Sequence, residues 1–226
     1  MLQFAASVRR MTLAADLFFS FRSPYSYLAI GRYRDLSETH NVDITLRPVY
    51  PIAIRDPDIL FTGTPLAGRY IFMDAARSAE MLGIPYRWPR PDPIVQNLAT
   101  REIAAEQPYI YRLTRMGQAA ANRGKGLAFA DEVSKIIWSG NTDDWHEGAH
   151  MAQAVARAGL DLAELDAEVS AQAEELDAEI AANEKALEAG GHWGVPTLVF
   201  EGEPFFGQDR IDMAKWRMEQ KGLAKR

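Results

Sequence analysis

The stretch that decides the fold is residues 16–28, DLFFSFRSPYSYL. Residues 16–21 form a short aromatic-rich run, which is typical of a buried strand. A turn follows, and apolar residues spaced three and four apart over residues 25–36 predict a helix. Residues 43–50 alternate apolar and polar side chains and predict a second strand. A strand, a helix and a strand in succession form a βαβ unit, so we expect the two strands to be parallel.

The rest of the chain carries strand signals only near its C-terminus. Residues 197–206 predict a β-hairpin with its turn at 201–203, and residues 209–221 predict a final helix. The long middle segment predicts only helices, at residues 70–82, 100–123, 128–138, 145–158 and 164–188. The expected fold class is therefore α/β, with a core built from both ends of the chain and a large all-helical insertion between them.

The composition excludes several classes of protein. The chain has 226 residues, of which 47% are hydrophobic, enough for a buried core, and its net charge of −6 disfavours nucleic acid as a partner. It contains no cysteine. The chain therefore has no disulfide, no thiolate metal site, no cysteine nucleophile and no dithiol redox pair of its own. Any thiol chemistry must use a thiol from another molecule.

The N-terminal segment predicts no export signal. Residues 1–11 lack the charged-then-apolar order of a signal peptide, and no apolar run reaches membrane-spanning length. We expect a cytoplasmic protein with no membrane partner. Residues 1–11 are interpreted either as a disordered extension or as a segment upstream of a true start at Met11.

Ser23 is the first candidate site residue. A serine at the N-cap with Pro24 at the first helical position is favourable helix-starting chemistry, which alone explains both residues. The same geometry also suits a function, because free amides and the positive end of the helix dipole favour an anion and lower the pKa of a thiol bound there. Ser23 could donate a hydrogen bond to that anion, but without an adjacent base it is a poor nucleophile.

Two further candidates lie near the C-terminus. Pro196 begins a predicted strand, and its peptide bond is trans by default. A cis bond would turn the Val195 backbone outward, where an extended peptide ligand could pair with it. Asp209 is either a plain N-cap of the last helix or the partner of a ligand that carries both an amine and a carboxylate.

Residues 146–150, HEGAH, match the pattern in which two histidines on one helix face bind zinc. The apolar stripe expected for this helix leaves His146 and His150 facing solvent; the stripe comprises Trp145, Ala149, Ala152, Val155 and Gly159. Gly148 weakens the helix, and no third histidine follows at the required spacing. We therefore expect no metal site and keep a zinc peptidase only as a minor alternative.

Four motifs together resemble those of one family. They are FSFRSPYSYL at residues 19–28, LGIP at 82–85, GVPT at 194–197 and FGQDR at 206–210. In combination and order they resemble the 2-hydroxychromene-2-carboxylate isomerases and kappa-class glutathione transferases of the DsbA-like thioredoxin superfamily, over residues 14–219. The resemblance implies a discontinuous thioredoxin-like domain from residues 12–60 and 191–226. A helical insertion domain would span residues 61–190.

The resemblance also implies a site and a reaction. Redox relatives carry Cys-x-x-Cys where this chain has Ser23 to Ser26. In the family that this chain resembles, the thiol is supplied by glutathione instead. Ser23 matches the serine that hydrogen-bonds the glutathione sulfur, and Val195, before a cis Pro196, matches the residue whose backbone pairs with the cysteinyl part. The γ-glutamyl end would be held by Phe206, Gln208 and Asp209. The implied reaction is a cis–trans isomerisation in aromatic-compound degradation, in which reversible thiolate addition regenerates glutathione without net redox change.

The sequence departs from that family around the expected substrate. The family lysine three residues before Tyr70 is Ala67 here, and Arg55 and Arg69 are candidate carboxylate partners. The expected substrate is a small aromatic or electrophilic acid. A homodimer is implied, because members of the family are commonly dimers. The alternatives are a kappa-class-like glutathione transferase, which would release a conjugate, and a noncatalytic glutathione-binding or peptide-binding module.

Overall fold

The chain is described by a computed structural model over residues 11–57, 65–97, 100 and 102–226. The expectations for residues 1–10 and for a domain boundary at residues 60 and 61 lie outside these ranges. None of the described helices is long and apolar enough to cross a membrane.

A four-stranded sheet forms the centre of the molecule. Its strands are β1 (Leu13–Phe19), β2 (Val42–Pro48), β3 (Thr197–Phe200) and β4 (Glu203–Phe206). The order across the sheet is β2–β1–β3–β4, with β1 parallel to β2 and both other pairs antiparallel. At the hairpin turn Glu201 and Gly202 have φ values of +49° and +80°, as a two-residue turn that matches the strand twist requires. The predicted βαβ unit and hairpin are both confirmed.

The first strand begins three residues before the start of the predicted strand of residues 16–21 and ends two residues before its end, at Phe19, because the chain already turns after β1. The Ser23 amide donates to the carbonyl of Ser20 at 3.1 Å. Phe21 therefore leaves the sheet, and its carbonyl instead accepts the indole N–H of Trp138 at 2.9 Å. The ring of Phe21 is buried and packs edge-on against Phe129. Likewise, β2 ends at Pro48 rather than at residue 50.

Nine helices surround the sheet in the described part of the chain. They are α1 (Pro24–Thr39), α2 (Ile52–Arg55), α3 (Pro65–Leu82), α4 (Ile110–Asn122), α5 (Gly126–Trp138), α6 (His150–Arg157), α7 (Leu162–Ala171), α8 (Ala173–Ala189) and α9 (Ile211–Glu219). Helices α4 and α5 pack against β2, and α5 also packs against α1. Buried side chains of the sheet and of these helices belong to one hydrophobic cluster. The division into two domains stays a prediction.

Several of the predicted helices were wrong in extent. Helix α3 begins at Pro65 rather than at residue 70, and α6 begins at His150 rather than at residue 145. The helix expected over residues 100–123 begins only at Ile110, because the preceding segment pairs with residues 95–97 instead. There the Gln107 side chain accepts from the Val95 amide at 2.8 Å and donates to the Val95 carbonyl at 3.0 Å. The helix expected over residues 164–188 is two helices, α7 and α8, because Gln172 between them departs from helical geometry with φ −125° and ψ 32°.

Candidate active site

Ser23 caps α1, as the sequence predicted. Its backbone is extended, with φ −91° and ψ 118°, and its hydroxyl oxygen accepts from the Ser26 amide at 3.2 Å, with Pro24 opening the helix. The hydroxyl itself donates to the carbonyl oxygen of Val195 at 3.2 Å. The start of α1 therefore touches the loop before β3, which brings together two candidate residues that are far apart in the sequence.

The second candidate segment joins the same place. The Val195–Pro196 peptide bond is cis, which is the less common of the two geometries considered for it. The carbonyl of Pro196 accepts from the Gly207 amide at 2.9 Å, so the end of β4 and residues 206–209 lie beside Pro196. We call this group the Ser23 site; it comprises Ser23, Val195, Pro196, Phe206, Gln208 and Asp209.

Gln208 and Asp209 present different groups at the Ser23 site. Gln208 is buried, and Arg32 of α1 donates to its carbonyl at 2.7 Å, so the fold holds this segment through the backbone. The Asp209 carboxylate is exposed and pairs with Arg210 at 3.3 Å. The alternative of Asp209 as a plain N-cap is wrong, because α9 begins at Ile211 and Arg210 occupies the capping position. Because the Asp209 carboxylate is exposed and caps no helix, it is accessible to a ligand.

An aromatic group that the sequence analysis missed lies beside Val195. The ring of His192 stacks on Phe206 with centroids 3.9 Å apart, while Trp193 is half exposed. The Nδ1 atom of His192 accepts from the Gly194 amide at 2.8 Å, so a neutral ring carries its proton on Nε2. Burial lowers the pKa of His192, which favours the neutral ring near pH 7. The sequence signal that could have identified His192 as a site residue is its position directly before Trp193-Gly-Val-Pro196.

The three candidate substrate residues lie in two places. Arg55 of α2 donates to the carbonyl of Tyr50 at 3.0 Å and to that of Trp193, so it reaches the Ser23 site by holding the loop before Val195. Burial lowers the pKa of Arg55. Arg69 and Tyr70 are instead exposed on α3.

Helix α3 is connected to the Ser23 site through Tyr25, which the sequence analysis did not single out. The Tyr25 hydroxyl donates to the Asp74 carboxylate of α3 at 2.8 Å. Burial and the Asp74 carboxylate raise the pKa of Tyr25, so this hydroxyl stays protonated and acts as a donor. The contact places α3 alongside the start of α1.

The HEGAH segment is not a helical metal site. Residues 145–149 form turns, and α6 begins only at His150, because Gly148 adopts a left-handed φ of +57°. The expectation that both histidines face solvent is wrong for His146, whose ring packs against Tyr109 and Trp145. The expected stripe is also wrong, since Ala149 and Ala152 are exposed. Over the described ranges, no group of three or more His, Asp or Glu side chains could hold a metal ion.

Comparisons with known proteins agree with the fold. The model of the DSBA-like thioredoxin domain matches residues 14–219, whereas no curated protein matches the sequence. A solved 2-hydroxychromene-2-carboxylate isomerase is similar at 23% identity and a TM-score of 0.66, covering 92% of this chain and 95% of that chain.

Two redox proteins have similar solved structures. A probable DsbA oxidoreductase from Streptomyces coelicolor is 16% identical with a TM-score of 0.62, covering 92% of this chain and 89% of that chain. The cytosolic disulfide reductase DsbM from Pseudomonas aeruginosa is 16% identical with a TM-score of 0.56, covering 92% and 99%. At these identities the similarity shows a shared fold.

Proposed function

The chain belongs to the family of DSBA-like thioredoxin domains, and from this premise we propose that it is a glutathione-dependent isomerase of the 2-hydroxychromene-2-carboxylate isomerase type. The observation that carries the proposal is the contact of Ser23 with Val195 at a helix start suited to a thiolate, in a chain without cysteine. Dithiol exchange needs two cysteines, so any thiol chemistry at this helix start needs a thiol from a ligand.

The Ser23 site offers groups that fit glutathione. Among the described residues, none accepts a hydrogen bond from the Val195 amide, so this amide is available to an extended peptide. The exposed Asp209 carboxylate can bind the ligand's amine, and the positive end of the 16-residue α1 can face its sulfur. A structure of DsbM that was solved with glutathione, 16% identical with a TM-score of 0.54, adds support.

In the proposed reaction the residues of this chain bind the thiolate and stabilise its negative charge. Bound glutathione supplies the nucleophilic thiol. The start of α1 stabilises the negative charge on sulfur, because the helix dipole favours an anion and the Tyr25 amide has no acceptor among the described residues. The Ser23 hydroxyl rotates from the Val195 carbonyl to donate to the sulfur. Since no redox-active side chain takes part, the chemistry that fits best is reversible addition and elimination without net oxidation.

The remaining parts of the proposal follow the family resemblance. The substrate is a small aromatic or electrophilic acid, and Arg55, Arg69 and Tyr70 are proposed to contact it. Arg55 does so while anchored to two backbone carbonyls. The protein is proposed to act as a homodimer in the cytoplasm, which sedimentation analysis and cell fractionation can test.

Calorimetric titration with glutathione tests the proposal. We expect the wild type to bind, and Asp209→Ala to weaken binding about tenfold or more, because a charge-assisted hydrogen bond is lost. Glu219→Ala, which removes an exposed carboxylate at the last residue of α9, is the matched control and should leave binding unchanged. Absence of binding at millimolar glutathione would contradict the proposal. Recovery of free glutathione after turnover distinguishes an isomerase from a transferase.

A further inference from the structure

The imidazole ring of His192 holds the peptide unit that joins Trp193 to Gly194. Its Nδ1 atom accepts from the Gly194 amide at 2.8 Å. At the other end of the same unit, the Trp193 carbonyl accepts from Arg55 of α2. Because a peptide unit is planar, these two bonds together fix its orientation. We call this unit the 193–194 peptide.

The next peptide unit carries the Val195 amide, which is proposed to pair with glutathione. Its carbonyl, that of Gly194, accepts from the Thr197 hydroxyl at 2.7 Å. The bond between Gly194 and Val195 is trans, so the carbonyl and the N–H of this unit point in opposite directions. The Val195 N–H therefore points away from Thr197. Its direction depends on the 193–194 peptide, which fixes the chain immediately before it.

The His192 ring also contacts Phe206, which is proposed to hold the γ-glutamyl end of glutathione. The two rings stack with centroids 3.9 Å apart and planes 18° apart. A Cβ at Gly194 would lie 2.6 Å from Phe206 Cε2 and 3.1 Å from His192 Cε1, so the Gly194 backbone packs tightly against both rings. One imidazole therefore supports two parts of the Ser23 site, the Val195 amide and the Phe206 ring.

The bond from the Gly194 amide requires a neutral imidazole. An amide N–H can only donate, so it needs the lone pair of Nδ1, and a proton on Nδ1 breaks the bond. Burial lowers the pKa of His192, which keeps the ring neutral near pH 7.

Charged side chains also lie on the segments around His192. They are Arg55 on α2, Glu184 and Glu188 on α8, Asp209 after β4, and Glu203, which is on the opposite face of β4 from Phe206. Burial, rather than any of these charges, sets the direction in which the pKa of His192 moves.

We propose that His192 is a positioning residue for glutathione and that protonation of its ring weakens glutathione binding. The neutral ring orients the 193–194 peptide, and through it the Val195 amide that pairs with the ligand. In the protonated ring Nδ1 carries a hydrogen that faces the Gly194 N–H, so the loop loses this orientation. The inference rests on the proposed function and adds to it a dependence of glutathione binding on acid pH.

The Gly194 amide resonance tests the contact without any ligand. In nuclear magnetic resonance spectra of the wild type, we expect the Gly194 amide proton to move upfield as the pH falls, because it loses its acceptor. Its midpoint should equal that of the His192 ring protons. An amide resonance that does not follow the ring overturns the inference.

Calorimetric titration with ophthalmate tests the effect on binding. Ophthalmate is glutathione with a methyl group in place of the thiol, so ionisation of sulfur does not contribute. From about one pH unit above the His192 midpoint to about one below it, we expect wild-type affinity to fall about threefold to tenfold, because only the neutral fraction has the oriented loop. His150→Asn, which removes an exposed histidine at the first residue of α6, is the matched control and should show the same fall.

Two substitutions of His192 separate the acceptor from the ring. His192→Asn keeps an acceptor near the position of Nδ1 but cannot be protonated in this range, so it should bind like the wild type at the higher pH and lose the pH dependence. His192→Phe keeps the stack on Phe206 without an acceptor, so it should bind about threefold or more weakly at the higher pH and show no pH dependence.

Each remaining outcome decides the inference. Wild-type affinity in His192→Phe, or the wild-type pH dependence in His192→Asn, overturns it. If circular dichroism shows that His192→Phe does not fold, His192→Asn and the Gly194 resonance decide. Failure of the proposed function appears separately, as absence of binding to both ophthalmate and glutathione in a protein whose Gly194 amide still follows the His192 ring.

Discussion

The Ser23 hydroxyl donates a hydrogen bond to the carbonyl oxygen of Val195 at 3.2 Å, across a sequence separation of 172 residues. The Ser23 hydroxyl oxygen also accepts a hydrogen bond from the Ser26 amide and so caps α1. One hydroxyl therefore stabilises the helix start and closes the gap to the loop before β3. A ligand that accepts a hydrogen bond from the Ser23 hydroxyl must replace the bond to the Val195 carbonyl. The bond from the Ser26 amide, which caps α1, stays in place.

Ser23→Ala should affect both activity and stability. We expect kcat to fall about tenfold to a hundredfold, because sulfur loses a hydrogen-bond donor. The free energy of unfolding should fall by about 1 kcal/mol, because α1 loses its cap. Ser23→Thr keeps the hydroxyl and should retain most of both. Steady-state kinetics and urea unfolding measure the two effects, and wild-type kcat in the alanine variant would refute the role given to Ser23.

Ser23→Cys should create a reactive thiol, whereas Ser26→Cys should not. At position 23 the dipole and free amides of α1 should hold the pKa of the new thiol below its usual value of about 8.5. Ser26 is fully buried, so a thiol there is shielded from solvent. Rates of alkylation by iodoacetamide as a function of pH measure the difference. Equal rates in the two variants would show that the helix start does not favour a thiolate.

Two glycines within helices should respond oppositely to alanine. In α4, a Cβ at Gly117 would lie 2.7 Å from Phe21 Cε2, so Gly117→Ala should cost about 1–3 kcal/mol of stability. In α3, a Cβ at Gly68 meets nothing within 4 Å. Gly68→Ala should therefore stabilise by about 0.5–1 kcal/mol through helix propensity. Thermal unfolding tests both, and a stabilising Gly117→Ala would mean that Phe21 is free to move.

Asp177 should make stability depend on acid pH. Its carboxylate accepts from Arg115 at 2.7 and 2.5 Å and from the Tyr50 hydroxyl at 2.6 Å. Burial alone would raise the pKa of Asp177, but Arg115 and Tyr50 outweigh it and lower that pKa. The unfolded state therefore binds the proton first, and the stabilisation present above an ordinary carboxyl pKa of about 3.9 is lost as the pH falls through and below it.

Urea unfolding of Asp177→Asn measures this dependence. Near neutral pH the variant should lose about 1–3 kcal/mol, at the low end because the pair is partly exposed. The difference from wild type should shrink below about pH 4. Asp166→Asn removes the bidentate pair with Arg112 but no tyrosine bond, so a smaller loss is expected. A difference that stays constant with pH would contradict the assignment.

The parts of the structure that were predictable from sequence rest on local chemistry. The Ser-Pro helix start, the hairpin turn and the alternation in β2 each depend on neighbouring residues, and all three are found. Asp209 shows where local preference fails. Its side chain lies beside Gly207, whose φ of +108° lets the chain turn there, and an added Cβ would come within 2.6 Å of the Asp209 carboxylate.

Contacts between distant segments could not be predicted, because nothing near either residue signals its partner. Arg22 with Asp92 and Tyr25 with Asp74 are separated by 70 and 49 residues, and neither pair belongs to a motif. The same applies to the helix expected over residues 100–109, where pairing with residues 95–97 overrides the helical pattern.

Helix α1 fixes the distance between two contacts that it makes with the C-terminal part of the chain. Ser23 at its start contacts Val195, and Arg32 further along the same helix holds the carbonyl of Gln208. Nine residues of helix separate these two anchors by about 13 Å along one stiff rod. The distance between Ser23 and Arg32 is thus set by the number of helical residues between them. Changes in loop length elsewhere leave this distance unaltered. A one-residue insertion within α1 would turn Arg32 by about 100° away from Gln208 and would lengthen the distance between Arg32 and Ser23.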